Sequence, residues 1–93
     1  MYVITRKDLP IEQIAVQSCH AALEAPPSPS SLIILTVKNK HQLEKALAYV
    51  HSLGLSTTEF FEPDWDYGFT SFAVEPLTEA QKPLMKRFQL WKV

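Results

Sequence analysis

Gln13, Gln17 and His20 are spaced by four and three residues, which lines up their side chains on one strip of any helix that carries them. Two carboxamides and an imidazole can donate and accept hydrogen bonds to bases, sugars or phosphates without breaking a bond. His20 is also the residue type for general-base work, if something orients it. The plain alternative is a solvated helix face with a histidine hydrogen-bonded at the edge of a sheet. Just upstream, Arg6-Lys7 offers positive charge for a phosphate. Downstream, Trp65, Tyr67 and Phe69 alternate with Asp64, Asp66 and Gly68. Aromatic side chains at a loop tip can stack on nucleobases. They can equally cap a small core or anchor a subunit contact.

Other chemistry-bearing residues point to less. His20, His41 and His51 share no spacing of three or four and have no recurring cysteine partner, so no metal site is expected. Glu62, Asp64 and Asp66 form an acidic run that reads as a charged turn, with a divalent-ion site as the sharper alternative. Cys19 is a lone thiol among small residues, expected to be packed, and it excludes a disulfide framework. No cofactor is expected. Six acids and no Lys or Arg lie between Glu59 and Glu79. Basic residues gather at Arg6-Lys7, at Lys38 and Lys40, and at Lys82, Lys86, Arg87 and Lys92. A long phosphate backbone is repelled by the acidic stretch, whereas a small anionic ligand fits this layout.

The elements must position these groups within 93 residues, which is one domain, residues 1–93. Apolar residues make up 46% and the net charge is −1, so a globally basic nucleic-acid coat is excluded. No apolar run approaches a bilayer span of about 20 residues, and no basic-then-apolar leader opens the chain. No membrane contact and a cytoplasmic location are therefore expected.

Tyr2–Thr5 reads as a strand. Pro10 suits the first turn of a helix ending near Glu24, with Ile11, Ile14, Ala15, Ala22 and Leu23 as its apolar face. The Pro/Ser stretch at 25–31 cannot continue a helix and reads as a loop. Leu32–Val37 is continuously apolar, as a strand at the centre of an α/β sheet is when both its faces are covered. Asn39 followed by Gln42 is a helix cap, Leu43, Ala46, Leu47 and Val50 repeat at helical spacing, and Gly54 is the stop. Strands are expected at Thr57–Phe61 and Phe69–Val74, joined by a short loop and hence antiparallel. A late or short helix follows Thr78, and Gln89–Val93 can add a terminal strand. The order β-α-β-α-β-β-α implies a layered α/β domain with a mixed four-stranded β-sheet and helices packed on it.

Arg6-Lys7-Asp8-Leu9, followed by Gln17-Ser18-Cys19-His20-Ala21-Ala22-Leu23, resembles the type 2 (archaeal and eukaryotic) peptidyl-tRNA hydrolases. That family opens with a strand ending in Arg-x-Asp-Leu, then a helix bearing Gly-Lys-Ile-Ala-x-Gln-x-x-His-Ala-Ala. Leu32–Val37, Leu43 to Leu55, Thr70 to Pro76 and Lys82–Leu90 continue the resemblance over nearly the whole chain. Gln13 stands where the family has the lysine assigned to its active site, and Glu12 stands where it has the glycine. Glu62-Pro63-Asp64-Trp65-Asp66-Tyr67-Gly68 replaces the Asp-x-Gly-x-Thr loop, and Thr70 alone matches a family threonine. A glutamine donates only a neutral hydrogen bond to a developing oxyanion. Exchanging the charged contact for it costs roughly 1–2 kcal/mol, about tenfold in rate.

Two expectations follow from the residues and the resemblance together. The first is a non-catalytic protein on a peptidyl-tRNA hydrolase-like scaffold, binding or sequestering a small nucleotide or a tRNA 3′ end. A phage-type sponge for a nucleotide messenger is one concrete form. Arg6, Lys7, Gln13, Gln17, His20, Trp65 and Tyr67 then contact the ligand. The second is an active, divergent hydrolase using His20 and Thr70, with Asp64 or Asp66 and with Lys7 stabilising charge. A homodimer or larger homo-oligomer is expected from the resemblance and from the small core.

Overall fold

Val3, Ile4 and Thr5 alternate between two covered faces, and all three are completely buried. They sit in β1 (Tyr2–Arg6), the middle strand of a sheet in a computed structural model that describes residues 1–27 and 31–92. β1 pairs parallel with β2 (Ile33–Val37), Val3 opposite Ile34 and Thr5 opposite Thr36. On its other side it pairs antiparallel with β4 (Gly68–Val74), which pairs antiparallel with β3 (Thr57–Glu62). β5 (Gln89–Leu90) pairs antiparallel with the outer edge of β2, giving the order β3-β4-β1-β2-β5. The sheet is mixed, as expected, but has five strands rather than four. The extra strand is two residues long, held by two register pairs and the Trp91 N–H to Ile34 carbonyl bond of 2.9 Å. The expected loop at 25–31 falls partly, and Val93 wholly, outside the described residues.

Helix α1 (Ile11–Glu24) lies on one face and α2 (Lys40–Ser52) on the other. Val3 and Ala73 pack with Ala21 of α1, whereas Ile4, Phe72 and Leu35 pack with Leu43, Ala46 and Val50 of α2. The α2 side holds the larger apolar core. α2 starts where the Asn39 side chain accepts the Gln42 N–H at 3.0 Å. It stops at Gly54, whose φ of +77° favours glycine. A 3-10 helix (Lys82–Arg87) lays Met85 against the same core, with Pro83 in its first turn. Among the described residues no helix is long and apolar enough to cross a membrane.

Two expectations are corrected here. The apolar face of α1 is not the one inferred from Ile11, Ile14, Ala15, Ala22 and Leu23. Ile11 and Leu23 are 60% and 83% exposed, and the buried residues are Ile14, Gln17, Ser18 and Ala21. Polar residues occupy the centre of that face because the strands beneath supply polar partners. The centre of the sheet is also β1, not the more apolar β2. α1 crosses β4, β1 and β3, so Ile34 on that face of β2 is only half-buried.

β3 and β4 are joined by a tight turn closed by the Tyr67 N–H to the Asp64 carbonyl at 3.3 Å. Its central residues, Trp65 and Asp66, have φ of 57° and 56°. Two successive left-handed residues match the twist of a hairpin, but a non-glycine residue there costs about 1–2 kcal/mol. Asp66→Gly is therefore expected to stabilise the domain by about 1 kcal/mol, raising Tm by roughly 5 °C. A thermal melt checks this, and an unchanged or lowered Tm contradicts it.

Candidate functional site

The Gln13/Gln17/His20 strip is built from α1 and from an irregularity in β4. Phe60 pairs with Ser71 but Phe61 pairs with Phe69, so Thr70 is an extra residue in the ladder. A bulge of this kind turns two successive side chains to the same side. Thr70 Oγ1 donates to Gln17 Oε1 at 2.8 Å, and Ser71 Oγ donates to the Gln17 carbonyl at 2.8 Å. Gln17 Nε2 donates to Glu62 Oε1 at 2.9 Å and to Gln13 Oε1 at 3.2 Å. Beside them Thr5 Oγ1 and Ser18 Oγ are 2.6 Å apart, and Ser18 Oγ also donates to the Ile14 carbonyl. Gln17 is fully buried and both its amide hydrogens are engaged. It clamps α1 to the β3–β4 hairpin.

His20 sits one turn along from Gln17, stacked on Phe60 with ring centroids 4.6 Å apart. Among the described residues no carboxylate hydrogen-bonds its ring and no bond joins it to Thr70. A base oriented by a third group is therefore not assembled here. No lysine is hydrogen-bonded to Gln13, Gln17, His20, Glu62 or Thr70 among the described residues.

Arg6 is engaged as well. It forms an ion pair with Asp8 through Nε at 2.7 Å, and Nη1 donates to the Tyr67 carbonyl at 2.8 Å. It thus fastens the returning arm of the hairpin to the end of β1. At the hairpin tip Trp65 is 64% exposed, with the Tyr67 ring 5.6 Å away and Phe61 exposed nearby. Among the described residues no His, Cys, Asp and Glu cluster is arranged to hold a metal ion.

The fold brings free cations together elsewhere. β1 leads through Lys7 to α1 on one face, and β2 leads through Lys38 to α2 on the other. The crevice outside the carboxyl ends of two such strands is where open α/β sheets hold ligands. A cleft of about 690 Å³ lies there, within the size range of small-molecule sites. Lys7, Lys38, Lys45 and Arg87 line it, together with Gln42, Gln89, Tyr49 and Phe88, and no carboxylate does. The Arg87 guanidinium lies 4.0 Å from the centre of the Tyr49 ring. Lys7 Nζ donates to Gln89 Oε1 at 2.8 Å. Among the described residues no ion pair engages any of the four cations.

Of the residues singled out in the sequence, Lys7 alone lines this cleft. Gln13, Gln17, His20 and Thr70 share the α1 side, and Trp65 and Tyr67 share the hairpin tip. Lys38 and Arg87 were noted only as basic positions, and Lys45 was missed. The signal for it is the run Lys38, Gln42, Lys45, Tyr49, whose spacing of four, three and four marks one flank of α2. Beyond Phe88 a second groove of about 620 Å³ is walled by Tyr2, Ile33, Leu35 and Met85. Glu79 and Lys82 pair at its rim at 2.7 Å, and the hydrogen bond from Glu79 raises the Lys82 pKa. No family model matches the chain, and comparison with curated proteins returned no match.

Proposed function

We propose that this protein binds a small phosphate-bearing nucleotide in the switch-point cleft and holds it without chemistry. The observation that carries this reading is the lining: four cations, two aromatic rings and no carboxylate around one opening. Such a set attracts a compact anion, and its interactions strengthen as ligand and cleft desolvate each other. Lys7, Lys38, Lys45 and Arg87 meet phosphate oxygens, and Phe88 offers an aromatic wall to the base. Gln13 and Gln17, expected as ligand contacts, serve the hairpin clamp instead in this reading. The scaffold is proposed to be peptidyl-tRNA hydrolase-like, with the parent chemistry lost. Two observations favour loss: the amide-filled network where the family has a lysine, and the unoriented His20 ring.

Titration calorimetry with AMP and ADP, beside a peptidyl-tRNA cleavage assay, tests the proposal. Binding in the micromolar range that weakens with added salt, and no turnover, is the expected result. Turnover abolished by His20→Ala supports the hydrolase instead and overturns the proposal.

A further inference from the structure

We infer that the cleft has two separate phosphate positions, so that its ligand is a nucleotide bearing two non-adjacent phosphates. A nucleoside 3′,5′-bisphosphate and a dinucleotide joined by two phosphodiesters share this chemistry. The inference rests on the reading of the cleft as a nucleotide site and adds the ligand class.

The four cations fall into two pairs. The Lys7 N–H bonds the Val37 carbonyl at 2.9 Å, so Lys7 and Lys38 leave from adjacent strand ends. At the other end Arg87 stacks on Tyr49, which lies one helical turn beyond Lys45. The wall between the pairs is α2 from Gln42 to Tyr49, a rise of about 10 Å. The second pair is the more rigidly held. Tyr49 Oη donates to the Leu84 carbonyl at 3.4 Å, and the Phe88 ring meets Tyr49 edge-on at 5.9 Å. A guanidinium laid flat on a ring keeps its N–H edge open, and that fork matches two phosphate oxygens.

Adjacent phosphates of a diphosphate share one bridging oxygen and span less than a helical turn. They can satisfy one pair and leave the other unneutralised. A ligand with phosphates at two corners of a ribose, or on two linked nucleotides, reaches both.

Calorimetry with four probes separates these cases: AMP, ADP, adenosine 3′,5′-bisphosphate and an adenosine cyclic dinucleotide. At least one of the last two is expected to bind about tenfold or more tighter than ADP, despite the similar charge. The tighter of them identifies the source. Lys38→Ala and Arg87→Ala, both at exposed positions, are each expected to weaken the tight ligand about tenfold. The same variants should weaken AMP by less than about threefold, because AMP can use either pair. ADP binding as tightly as both two-phosphate ligands overturns the two positions and leaves the nucleotide site standing. Failure of all four probes to bind overturns the nucleotide site itself.

Discussion

Gln17→Ala is expected to destabilise the domain by about 3 kcal/mol, a loss of roughly 15 °C in Tm for a chain of this size. The substitution removes every bond that the buried carboxamide makes. Thr70 Oγ1 loses its acceptor, Glu62 loses its donor, and a void opens between α1 and β4. A marginally stable domain holds about 5–15 kcal/mol in all, so the loss is a large share. Gln13→Ala removes a half-buried partner at 3.2 Å and is expected to cost less than about 1 kcal/mol. Gln17→Glu sharpens the test, because it sets a second carboxylate against Glu62. Its penalty should be full at neutral pH and shrink towards about pH 4, where carboxylic acids take up protons. Urea unfolding of the three variants checks these values. A Gln17→Ala protein as stable as the parent contradicts the clamp.

The second large effect concerns the cleft. Lys38→Glu combined with Arg87→Glu places one negative charge at each end of the opening. Each change removes a charge-assisted bond of about 1.5–3 kcal/mol and adds repulsion. Together they are expected to weaken nucleotide binding by more than about 100-fold. Stability should barely change, since both side chains are exposed and neither forms an ion pair among the described residues. Calorimetry on the double variant, with a thermal melt as control, reads both quantities. Binding within about threefold of the parent contradicts a ligand seated between these residues.

Much of the fold could be read directly from residue patterns. Asn39 with Gln42, the Leu43–Val50 spacing and Gly54 mark α2 at both ends, because caps and apolar periodicity are local. β5 is too short for any pattern; it exists because the 3-10 helix delivers Gln89 to the open edge of β2. The face of α1 was misread because periodicity counts apolar residues, while Gln17 and Ser18 are buried through partners on three strands. The site is less legible still. Lys7, Lys38, Lys45 and Arg87 come from β1, β2, α2 and the 3-10 helix, and only the strand order puts them around one opening. The helical strip of Gln13, Gln17 and His20 was real as geometry. Its chemistry depended on the bulge at Thr70, which no spacing in β4 announces.

Amide chemical-shift mapping of the intact protein during titration with adenosine 3′,5′-bisphosphate bears most directly on where a ligand sits. The largest shifts are expected at Lys7, Lys38, Lys45 and Phe88, with Gln13, Gln17 and His20 still. Shifts centred on Gln13 to His20, or none at millimolar ligand, contradict the cleft as the binding site.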